Sequence, residues 1–377
     1  MVFPASRLSR VILIALAFIL STPAAFAQLF PVCSWPFESN GRGLTNVATP
    51  DTHATYWIMP FDTASGSMVI HGMYPSARFF NFTSYTETGQ VLDSVADSKI
   101  APDTGSTNSF ATPGAKPYGA YTLTIGAGTG GSSNRLSAGG TRIAFVVYRL
   151  YLPDMGLDNK GGVPLPTISL VASNGTVREL RPCPFADAET SLVNLVALLN
   201  LNGFGQAANF LQQILLLANQ RGINTGLCNP AQPGPTAVTF AQLPAGGFFP
   251  NPQTTYWQTP GLCFQPGKIL VIRGKASVFP NTYTGGSVFD PAFDGSIQLR
   301  YWSLCNNDNV APYPVIACQA DFETNRGADQ FYTYVISNDQ APPAWLPVSA
   351  TWLPWGGAAL PKTLIFRATS EDNSQLS

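Results

Sequence analysis

Over most of the chain, apolar residues alternate with small or polar ones in short runs that end in Gly, Pro, Asn or Asp. SGSMVIHG at 65–72, ARFFNFTSY at 77–85, AYTLTIG at 120–126 and FVVYRLYLPD at 145–154 all carry this period of two. It predicts half-buried β-strands closed by turns. A helical period replaces it between about 188 and 220. There Leu192, Leu195, Val196 and Leu199 share one face, and Phe210, Ile214, Leu217 and Ala218 share another. Asp187 is placed to cap a first helix over 188–200, and NGFG at 202–205 breaks it. QAANFLQQILLLANQ then forms a second helix that stops at Arg221-Gly222. The hairpin is too interrupted and too polar to span a membrane; it packs across sheets or between domains, or serves as a movable lid over an apolar cavity.

The strand pattern is written twice. TYWIMP at 55–60 returns as TYWQTP at 255–260, and five further segments follow in the same order. SGSMVIHG matches PGKILVIRG (266–274), ARFFNFTSY matches LRYWSLCNN (299–307), and SVADSKI (94–100) matches CQADFET (318–324). AYTLTIG matches FYTYVIS (331–337), and FVVYRLYLPD matches TLIFRATSED (363–372). Short antiparallel strands in two copies predict a mainly β protein: tandem antiparallel β-sandwich or jelly-roll-like domains joined by a helical hairpin. The expected boundaries are a first domain at 28–185, a hairpin connector at 186–228 and a second domain at 229–377.

Residues 1–27 read as a secretory signal peptide. Arg7 and Arg10 precede the apolar run VILIALAFIL, and Ala25-Phe26-Ala27 has cleavage-site spacing. Of 20 Lys and Arg, cleavage would leave 18 against 21 acidic residues, with no concentrated basic face for nucleic acid and no transmembrane anchor. The expected location is secreted or periplasmic. Charged residues make up only 11% of the chain, so uncharged polar side chains must cover much of the surface. Six cysteines in an exported chain point to disulfides, and no C-x-x-C pair suggests a zinc ribbon. Cys305 and Cys318 flank a turn between two strand-like runs and form the preferred pair. Cys33–Cys183 and Cys228–Cys263 are two choices among several connectivities.

No G-x-S-x-G elbow occurs, and His53 and His71 are the only histidines. His71 lies within a strand pattern; His53 sits in a loop beside Asp51. No metal set or cofactor motif is evident. PDMGLDNKGG (153–162) could offer oxygen ligands to calcium, but an Asp/Gly turn explains it without an ion. The repeat draws attention to Arg78 and Arg300, Asp97 and Asp321, and Arg149 and Arg367. An arginine within an apolar strand needs a partner, so a buried ion pair in each domain is expected. The alternative is a polar cluster at a cavity floor, with the arginines orienting an acidic ligand. Trp345, Trp352 and Trp355 crowd the proline-rich AWLPVSATWLPWGG (344–357), either plugging the sandwich or stacking on sugar rings.

RYWSLCNND (300–308), ATWLPW (350–355) and FVVYRLYLPD together resemble motifs of bacterial exported proteins with domain-of-unknown-function 1214, often found beside domain-of-unknown-function 1254. The resemblance implies jelly-roll β domains and brings no established reaction. The functional expectation is binding of a small or extended ligand, a glycan or an apolar molecule, at an aromatic-lined domain junction. Trp302, Trp345, Trp352, Trp355, Arg300 and Asp321 are its candidate residues. A hydrolase or lyase using Arg78, Tyr85 and Asp97 is the alternative, and a structural envelope-associated protein is a third. N-terminal sequencing of the protein recovered from its own host is expected to begin at Gln28; a chain beginning at Met1 contradicts cleavage.

Overall fold

The computed structural model describes residues 33–42, 45–128, 133–183, 188–219, 227–228, 237–243 and 248–371. The signal peptide, the Asp187 cap, the Arg221-Gly222 stop and the side chains of Leu217 and Ala218 lie outside the described part. Each half of the repeat builds one sheet of the same order. In the first half it runs β1 (Phe37–Ser39), β2 (Ala54–Asp62), β8 (Ile143–Pro153), β4 (Ala77–Tyr85), β5 (Val91–Ala96). In the second it runs β11 (Ala241–Gln242), β12 (Thr254–Gln258), β18 (Lys362–Thr369), β14 (Tyr301–Asp308), β15 (Val315–Ala320). The register agrees too. Arg149 lies between Tyr56 and Asn81, and Arg367 lies between Tyr256 and Ser303.

A second sheet backs each of these. The first half uses β10 (Val177–Leu180), β9 (Thr167–Ala172), β3 (Gly66–Met73), β6 (Ala120–Gly126) and β7 (Arg135–Ser137). The second half keeps the counterparts of the last three: β13 (Leu270–Lys275), β16 (Phe331–Ser337) and β17 (Thr351–Pro354). The fold is mainly β, as the alternation predicts. Pairing departs from all-antiparallel at one place in each half, where β6–β7 and β16–β17 run parallel. In both cases a crossing loop, and not a tight hairpin, leads into the last strand, which permits parallel pairing.

Strand alternation divides the side chains of the central sheets between two destinations. In β8, Ala144, Val146, Tyr148 and Leu150 join the core between the two sheets of the first half, alongside Trp57, Phe82, Leu123 and Ile168. In β18, Leu364 and Ala368 join the matching core with Trp302, Tyr334 and Leu353. The opposite faces meet each other. Ala54, Phe79, Ala96 and Tyr151 pack against Tyr301 and Ala320, with the Tyr151 and Tyr301 rings 5.4 Å apart. Every residue of β4 is therefore buried.

Two ion pairs cross this joint reciprocally. Arg78 Nη1 donates to both oxygens of Asp321, at 2.9 and 2.8 Å, and Arg300 Nη2 donates to Asp97 at 3.1 Å. Each acid also accepts a backbone amide from its own half: Phe80 for Asp97 at 3.0 Å, Trp302 for Asp321 at 3.1 Å. A buried ion pair within each domain is thus not what forms. Arg78 takes its acid from the other copy, and Arg300 takes Asp97 from the other copy while also pairing with the partly exposed Glu371 of its own half. The first-half carboxyl, Asp97, is pushed up to about 7 by burial, with the Arg300 charge pulling the other way.

Three disulfides, Cys33–Cys183, Cys228–Cys263 and Cys305–Cys318, tie down the chain. The last joins directly opposed residues of β14 and β15. The helical period yields α1 (Ala188–Leu201) and α2 (Gly205–Asn219), with Leu192, Leu195, Val196 and Leu199 buried on one face. Helix α1 contacts β1, while Phe210 of α2 packs on Phe145 of β8, at 6.1 Å, and on Phe249, at 5.1 Å. No helix among the described residues is long and apolar enough to cross a membrane.

Replacing Arg78 with Met leaves Asp321 buried without its cation, so Arg78→Met should cost about 3–5 kcal/mol in urea unfolding. The double variant Arg78→Met, Asp321→Leu should recover most of that loss. A single variant as stable as the wild type contradicts the pairing.

Candidate functional site

The joint is not packed along its whole length. Beside the ion pairs, the facing strands leave a cavity of about 560 Å³. Tyr56, Ile58, Val147 and Arg149 line it from the first half, and Thr254, Tyr256, Ile365 and Arg367 from the second. Tyr56 and Tyr256, Val147 and Ile365, and Arg149 and Arg367 are equivalent positions of the repeat, so the cavity lies where the two copies face each other. Gln242, Leu243, residues 248–252, the loop 47–50 and Ile214 of α2 complete the wall, with Phe37, Phe248 and Phe249 among its apolar members. The hairpin therefore packs on the first half and also closes one side of the cavity. A size of 300–1,000 Å³, mostly apolar walls and a few converging polar groups are ordinary for small-molecule sites.

Both arginines are almost completely shielded from solvent. They reach the cavity because they occupy the strand positions that face the joint. Arg149 Nη1 donates to Thr83 Oγ1 at 3.2 Å, and Nη2 donates to the Tyr85 hydroxyl at 2.5 Å and to the Phe249 carbonyl at 2.6 Å. Arg367 Nη2 donates to the Thr49 carbonyl, while its buried Nη1 has no hydrogen-bond partner. The guanidinium of Arg149 lies 5.9 Å from the Tyr56 ring centre, and that of Arg367 lies 5.9 Å from Tyr256. Phe249 and Thr49 are equivalent residues, so each arginine is held by the same carbonyl of the opposite copy. Both residues whose carbonyls accept these bonds sit in the left-handed region, at φ 53° for Phe249 and 55° for Thr49, directly before a proline. Such a conformation costs about 1–3 kcal/mol per residue, and it persists here twice at one wall.

Among the positions where the copies differ, one beside the arginines changes charge. Asp51 of the first half corresponds to Asn251 of the second, two residues after the shared proline. Asp51 accepts the His53 amide at 2.9 Å, Ser303 Oγ at 2.7 Å and the Tyr301 hydroxyl at 3.0 Å. Burial raises its proton affinity, but the hydrogen bond to His53 and the charge of Arg367 outweigh burial and hold the carboxyl well below its usual range. Asn251 accepts from Asn81 at 2.8 Å and donates to Tyr151 and Thr254 at 3.2 and 3.0 Å. Arg367 thus has a carboxylate within electrostatic reach, whereas no ion pair forms at Arg149 among the described residues.

The remaining candidates are dispersed. Arg78 and Asp97 belong to different ion pairs and do not line the cavity; Tyr85 borders it through Arg149. Burial keeps the Tyr85 phenol above its ordinary value, and the phenol donates to the Pro250 carbonyl at 2.8 Å. Trp302 lies in the second core and Trp355 is buried beside Phe264. Trp352 is partly buried and donates to Ser337, and Trp345 is 56% exposed. None of these tryptophans, nor Arg300 or Asp321, lines the cavity. His71 is exposed on β3 beside Thr122. In PDMGLDNKGG, Asp158 accepts the Lys160 and Gly162 amides, as an Asp/Gly turn does. Asp51, Cys305 and Cys318 lie close together, but both sulfurs are tied up in a disulfide and offer no thiolate.

The sequence carried a signal for the cavity that the TYW match alone leaves incomplete. Extending the repeat upstream aligns TPDTHATYW (49–57) with FPNPQTTYW (249–257). That alignment brings out the paired Thr49 and Phe249, and the change from Asp51 to Asn251.

His53 gives a pH test of the joint. Its Nε2 lies 3.0 Å from Glu323 of the second half and its Nδ1 3.6 Å from Asp51. Burial alone would lower its affinity for a proton, but the hydrogen bonds to Asp51 and Glu323 raise it to about 10 from 6.5. A raised folded value stabilises the protein fully below 6.5 and loses that contribution as pH rises through about 10. His53→Gln, which installs the residue found at the equivalent Gln253, should cost about 2 kcal/mol at low pH. The deficit should shrink steadily towards pH 10 in denaturant titrations; a pH-independent deficit contradicts the pairing.

No known family profile matches the chain, and no curated protein matches it. Among solved structures it is similar to an uncharacterised protein from Burkholderia cenocepacia, with 14% identity over 97% of this chain and 87% of that one and a TM-score of 0.52. A protein from Vibrio parahaemolyticus aligns at 12% identity over 88% of each chain, with a TM-score of 0.41. The likeness to the Burkholderia protein shows that the fold recurs.

Proposed function

We propose that this protein binds a small, mainly apolar molecule in the cavity between its two halves and acts outside the cytoplasm. The observation that carries the reading is the 560 Å³ space itself, apolar over most of its wall, with paired arginines and tyrosines converging on it. The acid and arginine of a hydrolase or lyase reading, Asp97 and Arg78, are committed to ion pairs across the joint, which favours binding over catalysis. The signal-peptide pattern and three disulfides support export, since such bonds persist in oxidising compartments. Membership among the exported proteins with domain-of-unknown-function 1214 belongs to the same reading.

Native mass spectrometry of protein purified from its own host should reveal a non-covalent adduct that disappears on denaturation. Ile214→Trp places an indole in the cavity and should abolish the adduct while the fold is retained. A saturating ligand at about a hundredfold its Kd should raise stability by about 2.7 kcal/mol in the wild type and leave the variant unmoved. An adduct that survives the filled cavity contradicts the site.

A further inference from the structure

We propose that the molecule bound in this cavity carries a carboxylate head group, and that Arg149 is its anchor. The inference rests on the cavity being a binding site and goes further, to the chemistry of the ligand. Its basis is the broken symmetry of the repeat. Two arginines occupy equivalent wall positions, each gripped by the carbonyl of an equivalent residue, Phe249 or Thr49. Asp51 faces one of them; the position that would supply a second carboxylate is Asn251.

The consequence is a fixed positive charge with no acid among the described residues paired with it. Arg149 is 1% exposed, so water compensates it poorly. Its hydrogen-bond partners are a hydroxyl of Thr83, a phenol and a carbonyl, all neutral. A guanidinium has five donors, and three of Arg149's are engaged in these bonds. The cost of an unpaired buried charge is relieved when an anion enters, and a carboxylate matches the planar guanidinium fork. Tyr56 and Tyr256, on the same wall, can donate phenolic hydrogen bonds to the same head. Val147, Ile214 and Ile365 offer surface only to the apolar remainder. Arg367 is the weaker anchor, because the charge of Asp51 lies within electrostatic reach of it.

The test uses two matched pairs of probes with the full mature protein: dodecanoate with dodecan-1-ol, and biphenyl-4-carboxylate with biphenyl-4-methanol. Calorimetric titration should give at least one acid bound about tenfold or more tighter than its alcohol. Asn251→Asp supplies the missing carboxylate at a position whose neighbours, Tyr151 and Thr254, can donate to it, so folding should be preserved. This variant should erase the preference, so that acid and alcohol bind alike, and Arg149→Met should do the same. Asp51→Asn should not weaken binding of the acid. Acid and alcohol bound equally by the wild type, or a preference that survives Asn251→Asp, overturns the carboxylate assignment and leaves the cavity reading standing. No binding of any of the four probes overturns both.

Discussion

The structure depends on buried arginines that draw part of their polar partners from the opposite half. Arg78 and Arg300 each reach across the joint for a carboxylate, and Arg149 and Arg367 each reach across for a carbonyl. A buried guanidinium without partners is costly, so neither half can expose these residues in isolation without giving up the contacts that satisfy them. The four arginines thus act on the docking of the two sheets. Apolar packing of Phe79, Tyr151 and Tyr301 fills the space around the ion pairs. Pairs of this kind add little net stability over an apolar joint, but they fix the alignment of the two copies, because a shifted register strands every charge.

That alignment creates the cavity. The ion pairs and the aromatic contacts draw the sheets together along one part of the joint, and the arginines at the other part are too bulky and too polar to pack face to face. The carbonyls of Thr49 and Phe249, residues with positive φ, accept from them across the joint, and the helical hairpin lines one side through Ile214. A repeated fold therefore yields a site that neither copy has alone. The single change from Asp to Asn between positions 51 and 251 then makes this near-symmetric space electrically one-sided.

Much of the architecture was legible in the sequence because strand alternation and the repeat are local patterns. TYW, the arginine within the last long strand, and the Ala-Asp pair that ends Val91–Ala96 and Val315–Ala320 all fall at matching registers. Parallel pairing of the short strands after β6 and β16 was not legible, since loop composition does not reveal on which side a strand returns. The partners of the buried arginines were also hidden. Sequence pattern says that Arg78 needs an acid but cannot say that the acid comes from residue 321. The tryptophans misdirect for a related reason: large aromatics mark buried volume in general, and only the packing tells a core such as that around Trp302 from a binding wall. The cavity's own markers, Thr49, Asp51, Phe249 and Asn251, lie upstream of the conspicuous motif in loops of otherwise divergent sequence.

A crystal structure of the protein purified from its own host, without added ligand, tests the account most directly. The account predicts continuous density for an organic molecule between the halves, with paired oxygens against the Arg149 guanidinium and an apolar body towards Ile214 and Val147. A joint collapsed to close packing at this place, or a cavity holding only a hydrogen-bonded chain of waters, would contradict it.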